Sequence, residues 1–483
     1  MSATVRQHDH PDQRKARGAF FTPPALCHHM AAWAIRTPHD RVLEPSCGEA
    51  AFLNAAADRL TALGDPAGAR LDGVEVHAPS AREARRHLAE RGISGRVRVA
   101  DMFALTPRAA YDVVIGNPPY VRYQDFTGPA RAAARQAALR GGVRLSGLAS
   151  SWAPFVVHVA HFLAPGGRLA LVVPAELLST NYAAEVRSFL MRRFARVRLV
   201  VFRERVFPRV QEEVVLLLAE GDGPTDHCEL HQVDDLAGLD EMAARARISR
   251  WQPEDPTGKW TAALLDEPAL AAYRQLLAHP ELGTLHDWGE TTLGAVTGAN
   301  RFFALTQTQV DTLGLTEQDL VAISPPGSRH LRRLEFTGAH WESLRDHDRP
   351  VWLFRPNDGP SPAGAALIDA GEASGVPRAY KCRTRTPWWR TPIGPPPDLL
   401  ITYMNADTPR LTRNLAGVRH LNSVHGLHLH AHIPTPAADL LALAALNSLT
   451  LLGAETVGRA YGGGPPQIEP PGADRPPGPR APP

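Results

Sequence analysis

The sequence predicts a doubly wound α/β domain over residues 1–225, a mixed α+β domain over 226–470 and a disordered proline-rich tail at 471–483. Two observations lead to this division. From residue 41 to residue 218, short apolar runs alternate with stretches of helical periodicity, the rhythm of strand and helix units on a parallel sheet. Beyond Gly221-Asp222-Gly223-Pro224 the alternation stops, proline and tryptophan rise, and the apolar runs become short and irregular. A chain of 483 residues also exceeds one ordinary hydrophobic core.

Composition narrows the function classes. A hydrophobic content of 44% is that of a globular protein, and a formal charge of +2 leaves both nucleic-acid and small-molecule partners open. Cys27, Cys47, Cys228 and Cys382 are far apart, with no C-x-x-C and no zinc-type Cys/His spacing, so no metal site is expected and the thiols read as those of a reducing compartment. Residues 1–18 lack the apolar core of a signal peptide, and the most apolar region, 155–175, is interrupted by His158, His161 and Pro165-Gly166-Gly167-Arg168. The expectation is a cytoplasmic protein with no membrane partner.

The first element is Phe20-Phe21-Thr22-Pro23-Pro24 followed by a helical pattern in which Leu26, Met30, Trp33 and Ala34 recur. Thr22 is placed to cap that helix, with the prolines in its first turn. A hydroxyl and two aromatics before a helix equally suit a ligand pocket. Residues 41–53 then read as strand, small-residue turn and helix, with Glu44 at the strand end and Gly48 permitting close backbone approach. The turn is not G-x-G-x-x-G, which argues against a dinucleotide oxidoreductase. Two more strands, at 71–76 and 97–102, end near Glu75 and Asp101, with a helix over 78–91 between them.

The central stretch is 112–120. Val113, Val114 and Ile115 read as a buried strand, and Pro118 and Pro119 stop it at Asn117 because proline donates no ladder hydrogen bond. An amide and a backbone carbonyl at that point accept hydrogen bonds from an exocyclic amine, and Tyr120 offers a face on which a planar ring stacks. Asn and Pro also make plain turns. The order Glu44, Glu75, Asp101, Asn117 is more telling, since all four sit at successive strand ends and converge on one rim of one sheet.

In identity and order, Phe-Phe-Thr-Pro, Leu43-Glu44-Pro45-Ser46-Cys47-Gly48, Glu75, Asp101, Asn117-Pro118-Pro119-Tyr120 and the segments 163–175 and 205–218 resemble the gamma group of S-adenosylmethionine-dependent DNA methyltransferases, which methylate adenine N6. The resemblance implies a Rossmann-like methyltransferase domain followed by a target-recognition domain, with S-adenosyl-L-methionine as cofactor and double-stranded DNA as partner. It places Phe20, Phe21, Thr22, Glu44, Cys47 and Gly48 around the donor's methionine part, Glu75 on its ribose and Asp101 on its adenine. Asn117 and the Pro118 carbonyl would hold the target amine, Tyr120 would stack on the flipped base, and Phe207 would meet its other face. Glu49 departs from the small residues usual in the donor loop. Cytosine C5 chemistry would need a nucleophilic thiol at the strand end, and no Pro-Cys pair stands there. The same tetrad suits any planar NH2, so an RNA adenine or a protein glutamine amide stays open as acceptor, as does a catalytically idle DNA-binding subunit.

Arginines after Tyr120, beginning with Arg122, read either as a basic loop touching phosphates or as an Ala/Arg-rich amphipathic helix. In the second half, residues 376–420 carry eight cations against Asp398 and Asp407, interleaved with Tyr380, Trp388, Trp389 and Tyr403. Arg383, Arg385 and Arg390 are the expected DNA contacts, while the aromatics equally suit a small irregular core. Residues 292–303 and 460–470 resemble the opening and closing segments of recognition regions. Cleavage of DNA would belong to a separate restriction endonuclease or to defence-system proteins.

Overall fold

The computed structural model describes residues 22–65, 70–204, 213–239, 248–253, 255–357, 359–402, 409–457 and 477–482. The chain forms two compact units that divide after Glu267. In the first, α1 (Pro24–Ala34) precedes β1 (Val42–Glu44), α2 (Ala51–Ala62), β2 (Leu71–Glu75), α3 (Ala78–Glu90), β3 (Arg96–Val99) and β4 (Tyr111–Gly116). Then come α4 (Gly128–Arg140), α5 (Trp152–Ala160), β5 (Leu163–Pro174), α6 (Glu176–Ser179), α7 (Ala184–Arg193), β6 (Arg196–Phe202), β7 (Val214–Glu220), β8 (Cys228–Val233) and β9 (Ile248–Trp251).

These strands make one sheet in the order β3-β2-β1-β4-β5-β7-β6-β8-β9. Strands β1 to β5 run parallel to one another, whereas β7 is antiparallel to both β5 and β6. The order reverses beside β1, which is where a doubly wound sheet opens its ligand crevice. Val113 and Ile115 on β4 and Val172 on β5 are fully buried in a core shared with Leu26, Met30, Phe52 and Leu53 from the covering helices. The apolar runs of β4 and β5 are strands with both faces covered, since Val113, Val114 and Ile115 and residues 169–173 are all buried.

The sheet continues past the expected boundary at 225. Strand β8 runs parallel to β6, and β9 closes the edge antiparallel to β8. The apolar pattern concealed β8 because Glu229 and His231 are both buried in it. Glu229 is accommodated by a salt bridge of 2.8 Å from Arg198 on the adjacent strand, so a charge sits where a sequence reading expects none.

The second unit holds β10 (Leu282–Thr284), β11 (Gly289–Leu293), β12 (Ala304–Leu305), β13 (Leu320–Ala322), β14 (Trp352–Phe354), β15 (Leu399–Thr402), β16 (Leu411–Arg413), β17 (Val424–Leu429) and β18 (Pro477–Pro479). They form three small sheets, β10-β18, β11-β17-β15-β16 and β12-β14-β13. This is the irregular α+β architecture expected from the loss of periodicity. One expectation is corrected: Pro477–Pro479, placed in a disordered tail, is a strand paired antiparallel with β10. The prolines cannot donate, so other groups secure the segment: Trp288 Nε1 donates to the Pro479 carbonyl at 2.7 Å and the Arg480 amide to Glu281 O at 2.9 Å. Among the described residues no single helix is long and apolar enough to cross a membrane.

Candidate active site

The four strand-end residues lie on the carboxyl rim of neighbouring strands β3, β2, β1 and β4, as their order implied. On the acceptor side, Asn117 follows β4 directly. Its Nδ2 donates to Thr22 Oγ1 at 3.2 Å, and its Oδ1 lies 2.5 Å from the Tyr120 hydroxyl. That hydroxyl is also 2.8 Å from the Val172 carbonyl on β5, and with one hydrogen it donates to one of the two at a time. The Asn117 carbonyl accepts from Ser46 Oγ at 3.0 Å, which ties the acceptor loop to the loop after β1. Pro118 is buried, and its carbonyl accepts from no group among the described residues.

Ser151, which no sequence motif singled out, stitches this loop to α5. Its Oγ donates to Pro119 O at 2.5 Å and accepts from Val121 N at 2.8 Å, while its own amide donates to Val121 O at 3.0 Å. A lone serine ahead of an apolar helix carries no local signal of such a role. Thr22 requires a correction. Pro23, not Thr22, is the N-cap of α1, and no side chain caps that helix. With Pro24 opening the helix, the first amide that a cap would serve is missing, and the Thr22 hydroxyl turns to Asn117 instead.

On the opposite side of β1, Glu75 accepts from Gly48 N at 2.9 Å through Oε2 and from His77 N at 2.7 Å through Oε1. Each carboxylate oxygen keeps a further lone pair. Asp101 accepts from Phe103 N at 3.0 Å through Oδ1 alone, leaving Oδ2. Gly48 has φ +50°, and a side chain built there would meet nothing within 4 Å, so the backbone fronts open space. Ala50, at φ 75°, occupies the left-handed region at a cost of about 1–2 kcal/mol.

Glu44 and Cys47 face inward. Glu44 is 2% exposed, and its Oε2 accepts from Leu53 N at 2.9 Å, bracing the start of α2. Burial pushes its carboxyl well above the usual range against the pull of the Leu53 and Phe52 amides, and Glu75 adds to the rise. Cys47 is buried, its thiol raised by burial and then by Glu44 and Glu75, and a side chain on Gly73 would come within 3.0 Å of its sulfur. At 3% exposure its thiol is held within the core beside α2. Cys228, on β8, is likewise pushed up by burial, to about 12. Phe20, Phe21 and Phe207 lie outside the described residues, as do residues 460–470 and Tyr403.

The basic candidates separate into different environments. Arg122 is exposed on a turn whose carbonyl accepts from Asp125 N and Phe126 N, and the arginine-rich stretch beyond it is helical as α4, with Ala134, Ala137 and Ala138 buried. Arg385 is half-buried and tied within its own unit: its guanidinium donates to the Thr297 carbonyl at 2.9 Å and to the Val296 carbonyl. Burial lowers its pKa as well. Arg383 and Arg390 are exposed, the former 5.4 Å from the Tyr380 ring centroid. Trp388 and Trp389 pack on a core that includes Phe303 and Phe354, so these aromatics are architectural. Sequence reading missed a groove of about 520 Å³ whose lining includes Arg332, Arg333, Glu335, Thr337, His340 and Arg410. Its signal was the run Arg329-His330-Leu331-Arg332-Arg333, which lies outside the stretch where cations were counted.

A doubly wound sheet with the carboxylates of Glu75 and Asp101 on one side of its rim and an oriented amide on the other defines a methyltransferase acting on a planar amine. Comparison with known proteins gives the class its particulars. Residues 7–233 match the family model N-6 DNA Methylase, and residues 257–482 match the C-terminal domain of the Type II methyltransferase M.Eco57I. The chain is 22% identical to Type II methyltransferase M.AccI of Acinetobacter calcoaceticus over 95% of its length and 84% of that protein's. It is 26% identical to Type II methyltransferase M.XamI of Xanthomonas campestris pv. amaranthicola, over 94% and 83% respectively. The fold is similar to that of the Type IIL restriction-modification enzyme MmeI solved with DNA, with a TM-score of 0.58 and 12% identity, covering 94% of this chain and 64% of that one. The two family models and the two relatives together support an N6-adenine DNA methyltransferase of the restriction-modification type.

Proposed function

We propose that this enzyme transfers a methyl group from S-adenosyl-L-methionine to N6 of an adenine flipped out of duplex DNA, with the segment order of the gamma group. The observation that carries the reading is the Asn117 amide at the end of β4, its nitrogen held by Thr22 and the Pro118 carbonyl beside it in sequence.

Asn117 Oδ1 and the Pro118 carbonyl accept the two amine hydrogens. Adenine N6 is a weak nucleophile because its lone pair is delocalised into the ring, and two fixed acceptors favour a more pyramidal nitrogen with the lone pair directed outward. Tyr120, anchored to β5 through Val172, stacks on the extruded base, and Phe207 meets its other face. The remaining capacity of Glu75 and Asp101 suits a ribose diol and an adenine amino group, and the open backbone at Gly48 suits the methionine part. When bound, that donor supplies a sulfonium methyl for in-line displacement. Holding amine and donor loop together is the protein's contribution, and orientation of this kind supplies roughly 7–11 kcal/mol. Glu44 braces this rim from behind through its hydrogen bond from Leu53 N.

Cations of the second unit contact DNA. Arg332, Arg333 and Arg410 converge on one groove and suit phosphates, and the exposed Arg383 and Arg390, with Arg385 close by in sequence, are further candidate contacts. A separate restriction endonuclease is the expected partner, and the cytoplasm the expected location. The test is transfer of labelled methyl to duplex DNA, structured RNA and protein offered in parallel. Incorporation into duplex DNA supports the reading, and incorporation into RNA or protein alone overturns it.

A further inference from the structure

We infer that Thr22 is a positioning residue for the catalytic amide of Asn117, fixing which end of that amide faces the target amine. The inference rests on the proposed role of Asn117 and adds a function for a hydroxyl otherwise expected at the methyl donor.

An amide has chemically opposite ends. One is an acceptor with two lone pairs, the other carries two donors, and a half-turn about the last side-chain bond exchanges them. The target amine arrives with N–H groups. Only the oxygen end can meet them, because the nitrogen end would set donor against donor and leave both without partners in a closed site. Some neighbour must therefore select the orientation.

The distances show how it is selected. The Tyr120 oxygen lies 2.5 Å from one end of the amide, which fits O–H···O and is short of the N–H···O range. Thr22 Oγ1 lies 3.2 Å from the other end, which fits N–H···O and exceeds the usual O–H···O range. The oxygen end is thus toward Tyr120, with a second lone pair left for substrate, and the nitrogen end is secured by Thr22. Tyr120 cannot enforce this alone. Its hydroxyl has Val172 O within 2.8 Å as a second acceptor, so it can donate there and receive a hydrogen from a flipped amide.

Thr22 is well placed to act on orientation alone. It is 5% exposed, and its hydroxyl serves no helix cap. The Asn117 backbone is held separately by Ser46 Oγ, so loss of the Thr22 hydroxyl frees the side chain without releasing the loop. Valine at this position keeps the branched shape, removes the acceptor and takes from the part-buried Nδ2 its Thr22 partner unless the amide turns over.

The test compares single-turnover methylation of duplex DNA at saturating S-adenosylmethionine for the parent, Thr22→Val, Thr22→Ser and Asn117→Asp, with donor affinity by calorimetry. Thr22→Val is expected to slow transfer about tenfold, the kinetic size of one net hydrogen bond, with donor affinity within about twofold of the parent. Thr22→Ser restores the rate, since it returns the oxygen. In an Asn117→Asp background both ends accept, no wrong face exists, and Thr22→Val should change the rate less than about twofold. Thr22→Ala serves in the same comparison if the valine variant does not fold. An unchanged rate in Thr22→Val, a loss confined to donor affinity, or an equal loss in the Asn117→Asp background each overturns the inference. Full activity of Asn117→Ala would instead remove the reading of the site on which it rests, so the two failures are distinct.

Discussion

The Tyr120 hydroxyl lies 2.5 Å from Asn117 Oδ1, joining the expected stacking ring to the expected hydrogen-bond acceptor. Under the proposed reading Tyr120 is both a surface for the base and a brace for the amide. Tyr120→Phe keeps the ring and removes the brace, and is expected to slow methyl transfer about five- to tenfold with base extrusion unchanged. Tyr120→Ala should also lose stacking worth roughly 1–3 kcal/mol. A fluorescent base analogue at the target separates the effects: equal extrusion in all three proteins would remove the ring from the base.

Arg385 holds the loop at Val296 and Thr297 through its guanidinium, whereas Arg383 and Arg390 are exposed. Arg385→Ala is expected to destabilise the second unit by roughly 1.5–3 kcal/mol, the range for hydrogen bonds from a charged group. Arg383→Ala should leave the melting transition nearly unmoved. Thermal melts decide it, and an Arg385→Ala protein that melts with the parent but loses DNA affinity would return this residue to the DNA surface.

Arg332 and Arg333 line the basic groove of the second unit. Replacing either with alanine should weaken binding to duplexes of every sequence and lower the salt slope by about 0.9 for each phosphate no longer neutralised. Titrations at several salt concentrations test this. An unaltered slope would mean that the groove does not face phosphate.

His231 is 3% exposed on β8, and neither ring nitrogen has a hydrogen-bond partner among the described residues. Burial, reinforced by Arg198, lowers its pKa to about 4, with Glu229 opposing. Between the unfolded value near 6.5 and about 4, the unfolded chain binds the proton and the folded one does not. Stability therefore falls as pH drops through that window, by up to about 1.4 kcal/mol per pH unit for this group. His231→Phe removes the titration and should gain stability over the parent at pH 5 relative to pH 7.5. Parallel denaturation curves at the two pH values, with no change in the difference, would contradict it.

Much of the sheet was legible because strand, turn and helix each carry local patterns. The apolar run at Val113, Val114 and Ile115 and the proline stop at Asn117 predict a strand end, and β4 ends at Gly116. The predicted helix over 78–91 is α3. Long-range pairings were not legible. The Arg198 to Glu229 bridge disguised β8, and the true partner of the Thr22 hydroxyl lies 95 residues away. Arg385 read as a surface cation because sequence shows its charge but not the two carbonyls around it. The groove escaped notice because Arg332, His340 and Arg410 meet only after the second unit folds. Ser151 had no signature, since a serine that braces a loop looks like any other.

In the proposed function the amide at the end of β4 serves transfer to adenine N6. The direct measurement is mass spectrometry of nucleosides from duplex DNA incubated with S-adenosylmethionine and either the parent or Asn117→Ala, with donor affinity measured on both proteins. The expected result is N6-methyldeoxyadenosine from the parent and a fall of orders of magnitude in the variant at nearly equal donor affinity, because the proposed hydrogen bond from the amine to the amide acts mainly in the transition state. N4-methyldeoxycytidine as the sole product, or equal yields from both proteins, would contradict it.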